Sequence, residues 1–204
     1  IALVASLGLT TVAATGGAVL HARFAAGYSA ENITYTRSTS LTRLAVHEDD
    51  RGTFLLLDNS SASEVVKTQD RKDFMARSAA RAFVYRMHEP GARIAILAAS
   101  AGPEVAAAQA AGHSGIDAVD IAAEIGDIVA ERWPDSDVNP YVVGDTTRIW
   151  SDGRAAILHA EEPYDIIHMV HANLHSNAGL MANAWSPNLL QTKEAFHTYL
   201  EHLS

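Results

Sequence analysis

RIAILAASAGPEVAAAQAAGHSGIDAVD, residues Arg93 to Asp120, is the stretch whose reading decides the fold. A short apolar run leads into a turn of small residues, an Ala-rich segment, a Gly-flanked break and a second apolar run closed by an acid. That order predicts one βαβ unit. Its first core strand covers Ile94 to Ala98, its turn Ala98 to Gly102, its helix about Glu104 to Ala111, and its second core strand Ile116 to Asp120. A right-handed crossover lays the two strands parallel and brings the turn and Asp120 to one carboxyl edge. The helix N-terminus and open backbone at such an edge suit one end of a nucleoside, and the acid suits its ribose hydroxyls. Gly102 is the only glycine of the turn, so a plain tight turn with an incidental acid stays open as the alternative.

The 204 residues suffice for one domain of ordinary size with something appended. With 48% hydrophobic and 19% charged residues the chain is a folding one. A net charge of -9 argues against a nucleic-acid surface, which needs clustered Lys and Arg. The absence of cysteine excludes disulfides and thiolate metal sites. Ile1 to Leu20 carries no charge, and ~1.5 Å of rise per residue lets it span roughly the hydrocarbon core of a bilayer. A transmembrane helix is therefore expected there, ahead of a signal-peptide core or a buried soluble helix. Gly16-Gly17 suits close helix packing, and His21 and Arg23 favour a cytoplasmic exit.

Tyr28 to Ser40 reads as a linker or an irregular strand. Leu41 to His47 and Thr53 to Leu57 flank a turn-rich Glu48 to Gly52 and predict a β-hairpin. From Asp70 to Met87 one helix is expected, with Phe74, Ala79, Phe83, Val84 and Met87 on its apolar face and Arg71, Lys72, Arg77, Arg81 and Arg86 solvated. Beyond Asp120 the sequence predicts a helix over Ala122 to Trp133. Tyr141 to Val143 or, preferably, Thr147 to Ser151 forms the third core strand. A short helix over Arg154 to His159 and a fourth strand over Tyr164 to Val170 follow. Thr192 to Leu203 reads as an amphipathic helix with no strand after it. The expected sheet has four parallel strands and is cut short.

The order hairpin, helix, Ala98-Ala99-Ser100-Ala101-Gly102-Pro103-Glu104, Val119-Asp120, Asp152-Gly153-Arg154, Tyr164-Asp165-Ile166-Ile167 and the later SPNLLQTKEAF resembles the spermidine synthase family of polyamine aminopropyltransferases. The resemblance runs from about Leu41 to Ser204 and is greatest to membrane-linked bacterial relatives. It implies an α/β fold of the class I AdoMet-dependent methyltransferase type, with a truncated Rossmann-like parallel sheet in the order 3-2-1-4, strand 4 at an open edge, behind a small β-hairpin region. The expected organisation is a transmembrane helix over 1–24, a linker and hairpin region over 25–68, and a nucleoside-binding domain over 69–204. By resemblance, Ala98, Ser100, Gly102 and Glu104 cradle S-adenosylmethionine or decarboxylated S-adenosylmethionine. Asp120 holds the ribose, and Asp152 meets the adenine. The implied partners are a small-molecule amine or other acceptor and, through the N-terminal helix, a membrane, with a homodimer left open. The implied location is the membrane, with the soluble domain on the cytoplasmic side.

The sequence also departs from the family. The first turn has Ala98 and Ser100 where relatives carry glycines. The acid that activates the attacking amine is replaced by Asn173, and an amide cannot accept a proton. Ala76 and Arg77 fall near the place of the family's Tyr-His pair. His168, His171 and His175 would share a helical face suited to a metal. His168 falls in the predicted strand, however, so a pocket-lining loop is expected, with His171 or His175 as general base in place of Asn173. Asn183, Trp185 and Asn188 suggest a lid. Three readings remain: an aminopropyltransferase, an AdoMet-dependent methyltransferase, and a nucleoside-binding module without catalysis.

Overall fold

The computed structural model describes residues 27–40, 42–58, 61–135, 137–170 and 189–204. The expected transmembrane segment Ile1 to Leu20 lies outside the described residues. Among those described, no helix is long and apolar enough to cross a membrane.

Two four-stranded sheets organise the described residues. The first is antiparallel, in the order β1 (Ile33–Ser38), β2 (Arg43–Asp49), β3 (Gly52–Leu57), β4 (Ser61–Glu64). The predicted hairpin forms its centre, closed by a turn in which Asp49 accepts from the Arg51 backbone N–H at 2.9 Å and from its Nε at 2.8 Å. The irregular stretch after Tyr28 is a true edge strand. β4 went unpredicted, because Ser-Ala-Ser-Glu has no apolar alternation to mark it; it is fixed by pairing with Phe54 to Leu57.

The single helix expected over Asp70 to Met87 is two, α1 (Arg71–Arg77) and α2 (Ala79–Arg86), broken where Ser78 takes φ -107° and ψ 35°. The break shifts the helical phase. Phe74, Met75, Ala82 and Tyr85 are buried, whereas Phe83 and Met87, read as core, are 61% and 66% exposed.

The second sheet is parallel, in the order β7 (Thr146–Trp150), β6 (Ile116–Asp120), β5 (Ile94–Leu97), β8 (Ile166–Met169). This is the expected 3-2-1-4, with the preferred third strand formed and Pro140–Val142 a 3₁₀ turn instead. Successive strand residues face opposite sides. On one side Ile94, Ile96, Ile116 and Ala118 meet α3 (Pro103–Ala110) and α4 (Ala123–Arg132) through Val105, Ala106, Ile125 and Val129. Leu44, Val46, Leu55 and Leu57 of the antiparallel sheet join this same core. On the other side Ala95, Leu97 and Val119 meet α5 (Gly153–Leu158) and α6 (Lys193–Glu201) through Ile157, Ala195 and Tyr199. β8 is the last strand of the order, and Tyr164 just before it bridges Leu203 after α6. At the amino edge the Tyr164 hydroxyl donates to Asp117 at 2.7 Å, and the Arg93 guanidinium lies 4.0 Å over the Tyr164 ring.

Candidate functional site

The turn between β5 and α3 is left-handed at every second residue: Ala98 has φ 60°, Ser100 φ 51° and Gly102 φ 85°. Glycine adopts this region freely, whereas an L-residue there costs roughly 1–2 kcal/mol. Gly102 is required twice over, since a Cβ on it would lie 2.5 Å from Pro140 Cγ and 3.3 Å from Tyr141 Cζ. Four interactions, besides the one Asp120 makes, fix the turn. The Ala99 N–H donates to Val119 at 3.1 Å, the Gly102 N–H to Ala99 at 2.8 Å, and the buried Ala101 N–H to Ser63 Oγ at 3.2 Å. The Tyr141 hydroxyl donates to the Ser100 carbonyl at 2.6 Å. Burial holds that phenol well above its ordinary pKa, so it stays a donor. Ser100 Oγ is buried without a partner among the described residues.

Asp120 ends β6 beside this turn. One carboxylate oxygen accepts the Ser100 N–H at 3.0 Å and the other the Ala122 N–H at 2.9 Å. Burial raises its pKa, and these backbone donors oppose the rise. Each oxygen keeps a further lone pair, so the carboxylate can still accept from hydroxyls. Asp152 begins α5 as its N-cap, with one oxygen accepting from Arg154 N at 3.0 Å and Ala155 N at 3.1 Å. It sits next to Ser151, whose N–H donates to the Asp120 carbonyl at 3.1 Å, so the two acids belong to adjoining strand ends of one carboxyl edge. Gly153 permits close contact there: a Cβ would lie 2.8 Å from Leu190 Cδ2 and 3.4 Å from a Leu97 methyl.

Glu104, in the first turn of α3, is buried and ion-paired to Arg81 of α2. Arg81 is therefore not on a solvated face. Nor is Arg71, which is 7% exposed, whereas Arg77 pairs with Glu64 from the solvated face expected of it, its side chain 48% exposed. Phe74 lies under two of these guanidinium groups, 5.0 Å from Arg77 and 5.8 Å from Arg81. Sequence reading missed this cluster because cations at helical spacing usually face water, and nothing local marks their distant carboxylates.

It also missed Tyr85 and its partner. The Tyr85 hydroxyl lies 2.5 Å from His168 Nδ1, with the rings edge-on at 5.1 Å, and the Tyr85 carbonyl is 2.8 Å from His113 Nε2. Burial first, then Arg81, lowers the His168 pKa to about 4. Burial also keeps the Tyr85 phenol protonated. The phenol is thus the donor and Nδ1 the acceptor, which places the imidazole proton on Nε2. His168 does lie in a strand, as expected. His171, Asn173, His175, Asn183, Trp185 and Asn188 lie outside the described residues. Among those described, no group of His, Asp or Glu could hold a metal.

A cavity of about 480 Å³ between α1, α2 and the end of α3 is lined by Lys72, Met75, Tyr85, Arg86 and Pro90. Another of about 490 Å³ lies between Arg93, Asp117 and α5. Neither is lined by Asp120, Asp152 or the 98–102 turn, so the carboxyl-edge site rests on its polar geometry and not on cavity size.

No protein-family model and no curated protein matches the sequence. Solved structures do. A spermidine synthase in complex with the transition state analogue AdoDATO superposes with a TM-score of 0.63 at 10% identity, over 87% of this chain and 55% of that one. The spermidine synthase of Thermotoga maritima gives 0.60 at 10%, over 85% and 53%. A probable spermidine synthase of Corynebacterium glutamicum gives 0.57 at 17%, over 83% and 60%. The likeness is one of fold: this chain has the spermidine synthase fold and spans little more than half the length of those structures.

Proposed function

We propose that the chain is a spermidine-synthase-like domain that binds S-adenosylmethionine or its decarboxylated form at the carboxyl edge of β5 and β6. The observation that carries this reading is Asp120, fixed through both carboxylate oxygens by the backbone of the two loops a nucleoside would touch, beside a turn left-handed at three alternate positions. Backbone in such sparsely populated conformations concentrates at ligand sites. The ribose hydroxyls would donate to Asp120, and Asp152 would meet the adenine amino group.

Aminopropyl transfer is the reaction of this fold's named relatives, but here it would be slow or absent. Asn173 stands where the resemblance puts the acid, and losing a general base costs roughly 10²–10⁴ in rate. Methyl transfer from S-adenosylmethionine to another acceptor is the second reading. It is favoured by Glu64 and Glu104, each tied to an arginine and so not free to hold a polyamine. A thermal-shift panel with S-adenosylmethionine, decarboxylated S-adenosylmethionine and methylthioadenosine tests the binding, since a native-state ligand raises apparent stability as RT ln(1 + [L]/Kd). A rise with any of them supports the nucleoside reading. No response to all three removes it and leaves a structural module.

A further inference from the structure

Arg37, Arg51, Arg77, Arg81 and Arg93 each lie against a carboxylate. Lys72 of α1 and Arg86 of α2 have no ion pair or hydrogen bond among the described residues, and both line the cavity of about 480 Å³ between α1, α2 and the end of α3. α3 returns the chain from the carboxyl edge of the parallel sheet to its amino edge, and residues 88–90 lead towards the start of β5. The cavity therefore sits at the end of the sheet opposite to Asp120 and the 98–102 turn, and the nucleoside reading makes no use of it.

The walls of this cavity are tied to each other within the chain. At the end of α2 the Tyr85 carbonyl accepts from His113 Nε2 at 2.8 Å. Gly112 comes so close to Pro90 that a Cβ on it would lie 3.2 Å from Pro90 Cβ. These two contacts join the last turn of α2 and the loop after it to the turn that follows α3. The lining is mixed: Met75, Pro90, Ala110 and Ala111 are apolar, while Lys72, Arg86 and His88 bring donors. A volume of this size holds a small molecule.

Charge limits what that molecule is. Lys72 and Arg86 are positive, Glu89 is negative, and the C-terminal end of α3 adds roughly half a negative charge. The remainder is positive but smaller than one full charge, which suits a monoanion, repels an ammonium and is too little for a phosphate dianion. A planar guanidinium meets a carboxylate through two parallel hydrogen bonds. We infer that this cavity is a second ligand site, for a monocarboxylate with a compact apolar body. Its carboxylate lies on Arg86 and Lys72 and its body against Met75, Pro90 and the end of α3. Binding involves no covalent step.

Titration of the isotope-labelled full chain with phenylacetate, followed through its amide NMR resonances, tests this. Phenylacetate should give saturable shifts at Arg86, Ala110 and Ala111. Phenylacetamide, which has the body without the charge, and inorganic phosphate, which has charge without the body, should each bind at least about tenfold more weakly. The double variant Lys72→Gln, Arg86→Gln should also lose at least about tenfold in phenylacetate affinity, because charge-assisted hydrogen bonds are removed. Both side chains are exposed and have no partner to lose, so its thermal midpoint should stay that of the wild type. The wild-type ratios decide without the variant should it fail to fold. Absence of saturable shifts, shifts centred on Asp120 and the 98–102 turn, equal binding of the amide or of phosphate, or undiminished binding by the double variant would each overturn the inference. None of these results bears on the nucleoside reading.

Discussion

Replacing Ala98 and Ser100 by glycine should stabilise the protein, against the usual expectation that glycine weakens a fold. Both residues sit at left-handed φ, 60° and 51°. Relief of roughly 1–2 kcal/mol of steric cost at each is set against the greater freedom that glycine gives the unfolded chain, about 0.4–1 kcal/mol. The net gain is about 0.5–1 kcal/mol per site. Ser100→Gly should gain more, because it also removes a hydroxyl buried without a partner, a group whose burial costs about 1–3 kcal/mol. Ser100→Ala isolates the hydroxyl contribution, since it keeps the Cβ and the backbone strain. Urea melts at constant m-value should rank Ser100→Gly above both Ala98→Gly and Ser100→Ala. With the hydroxyl included, the double glycine variant should gain roughly 2–5 kcal/mol and rise by about 4–20 °C in thermal midpoint for a chain of this size. Gly102→Ala is the counter-test. At φ 85° and with Pro140 Cγ in the way, it should lose at least ~2 kcal/mol from strain and overpacking together. Destabilisation by both glycine substitutions, or tolerance of Gly102→Ala, would refute the left-handed assignment of the turn.

Arg71→Met should raise stability by about 1–3 kcal/mol, because Nε and Nη2 of this buried guanidinium lack hydrogen-bond partners among the described residues and burial depresses its pKa; a lower urea midpoint would contradict that. His168 has a folded pKa of about 4 against an ordinary 6.5, so the unfolded chain binds the extra proton between those values. Its contribution to stability is unaffected above pH 6.5 and declines as pH falls towards 4, and the Tyr85→Phe, His168→Phe variant should show a flatter loss over that window in pH-dependent melts. An imidazole titrating near 6.5 by NMR would refute the burial argument. Aminopropyl transfer to putrescine should be slow or absent in the wild type and rise in Asn173→Asp; robust wild-type turnover would mean that another group serves as base.

The βαβ unit was legible because its signals are local: an apolar run, a small-residue turn and an acid at the next strand's end. The handedness of the crossover made the strands parallel, while their order came with the resemblance to the spermidine synthase family and was found as expected. β4 was illegible for the opposite reason, since Ser61–Glu64 is a strand only by virtue of β3 beside it. The break at Ser78 turned the helical phase, so Tyr85 took the inward position assigned to Phe83 and Met87. The ion pairs of Arg77 and Arg81, and the bond from Tyr85 to His168, join residues far apart in the chain, which periodicity cannot foresee. Asp120 and Asp152 were found at the predicted edge, but Asp152 also caps α5, a role its Asp-Gly context allowed without announcing.

Equilibrium dialysis of labelled methylthioadenosine against the wild type and Asp120→Ala tests the central claim most directly, because this ligand carries the adenosine and none of the amino acid. Saturable wild-type binding, weakened at least about tenfold (~1.4 kcal/mol) in an Asp120→Ala variant that still melts cooperatively, is the predicted result. Saturable binding of equal strength in both proteins would contradict the assignment of Asp120 to the ribose, and no binding by the wild type would contradict the nucleoside site itself.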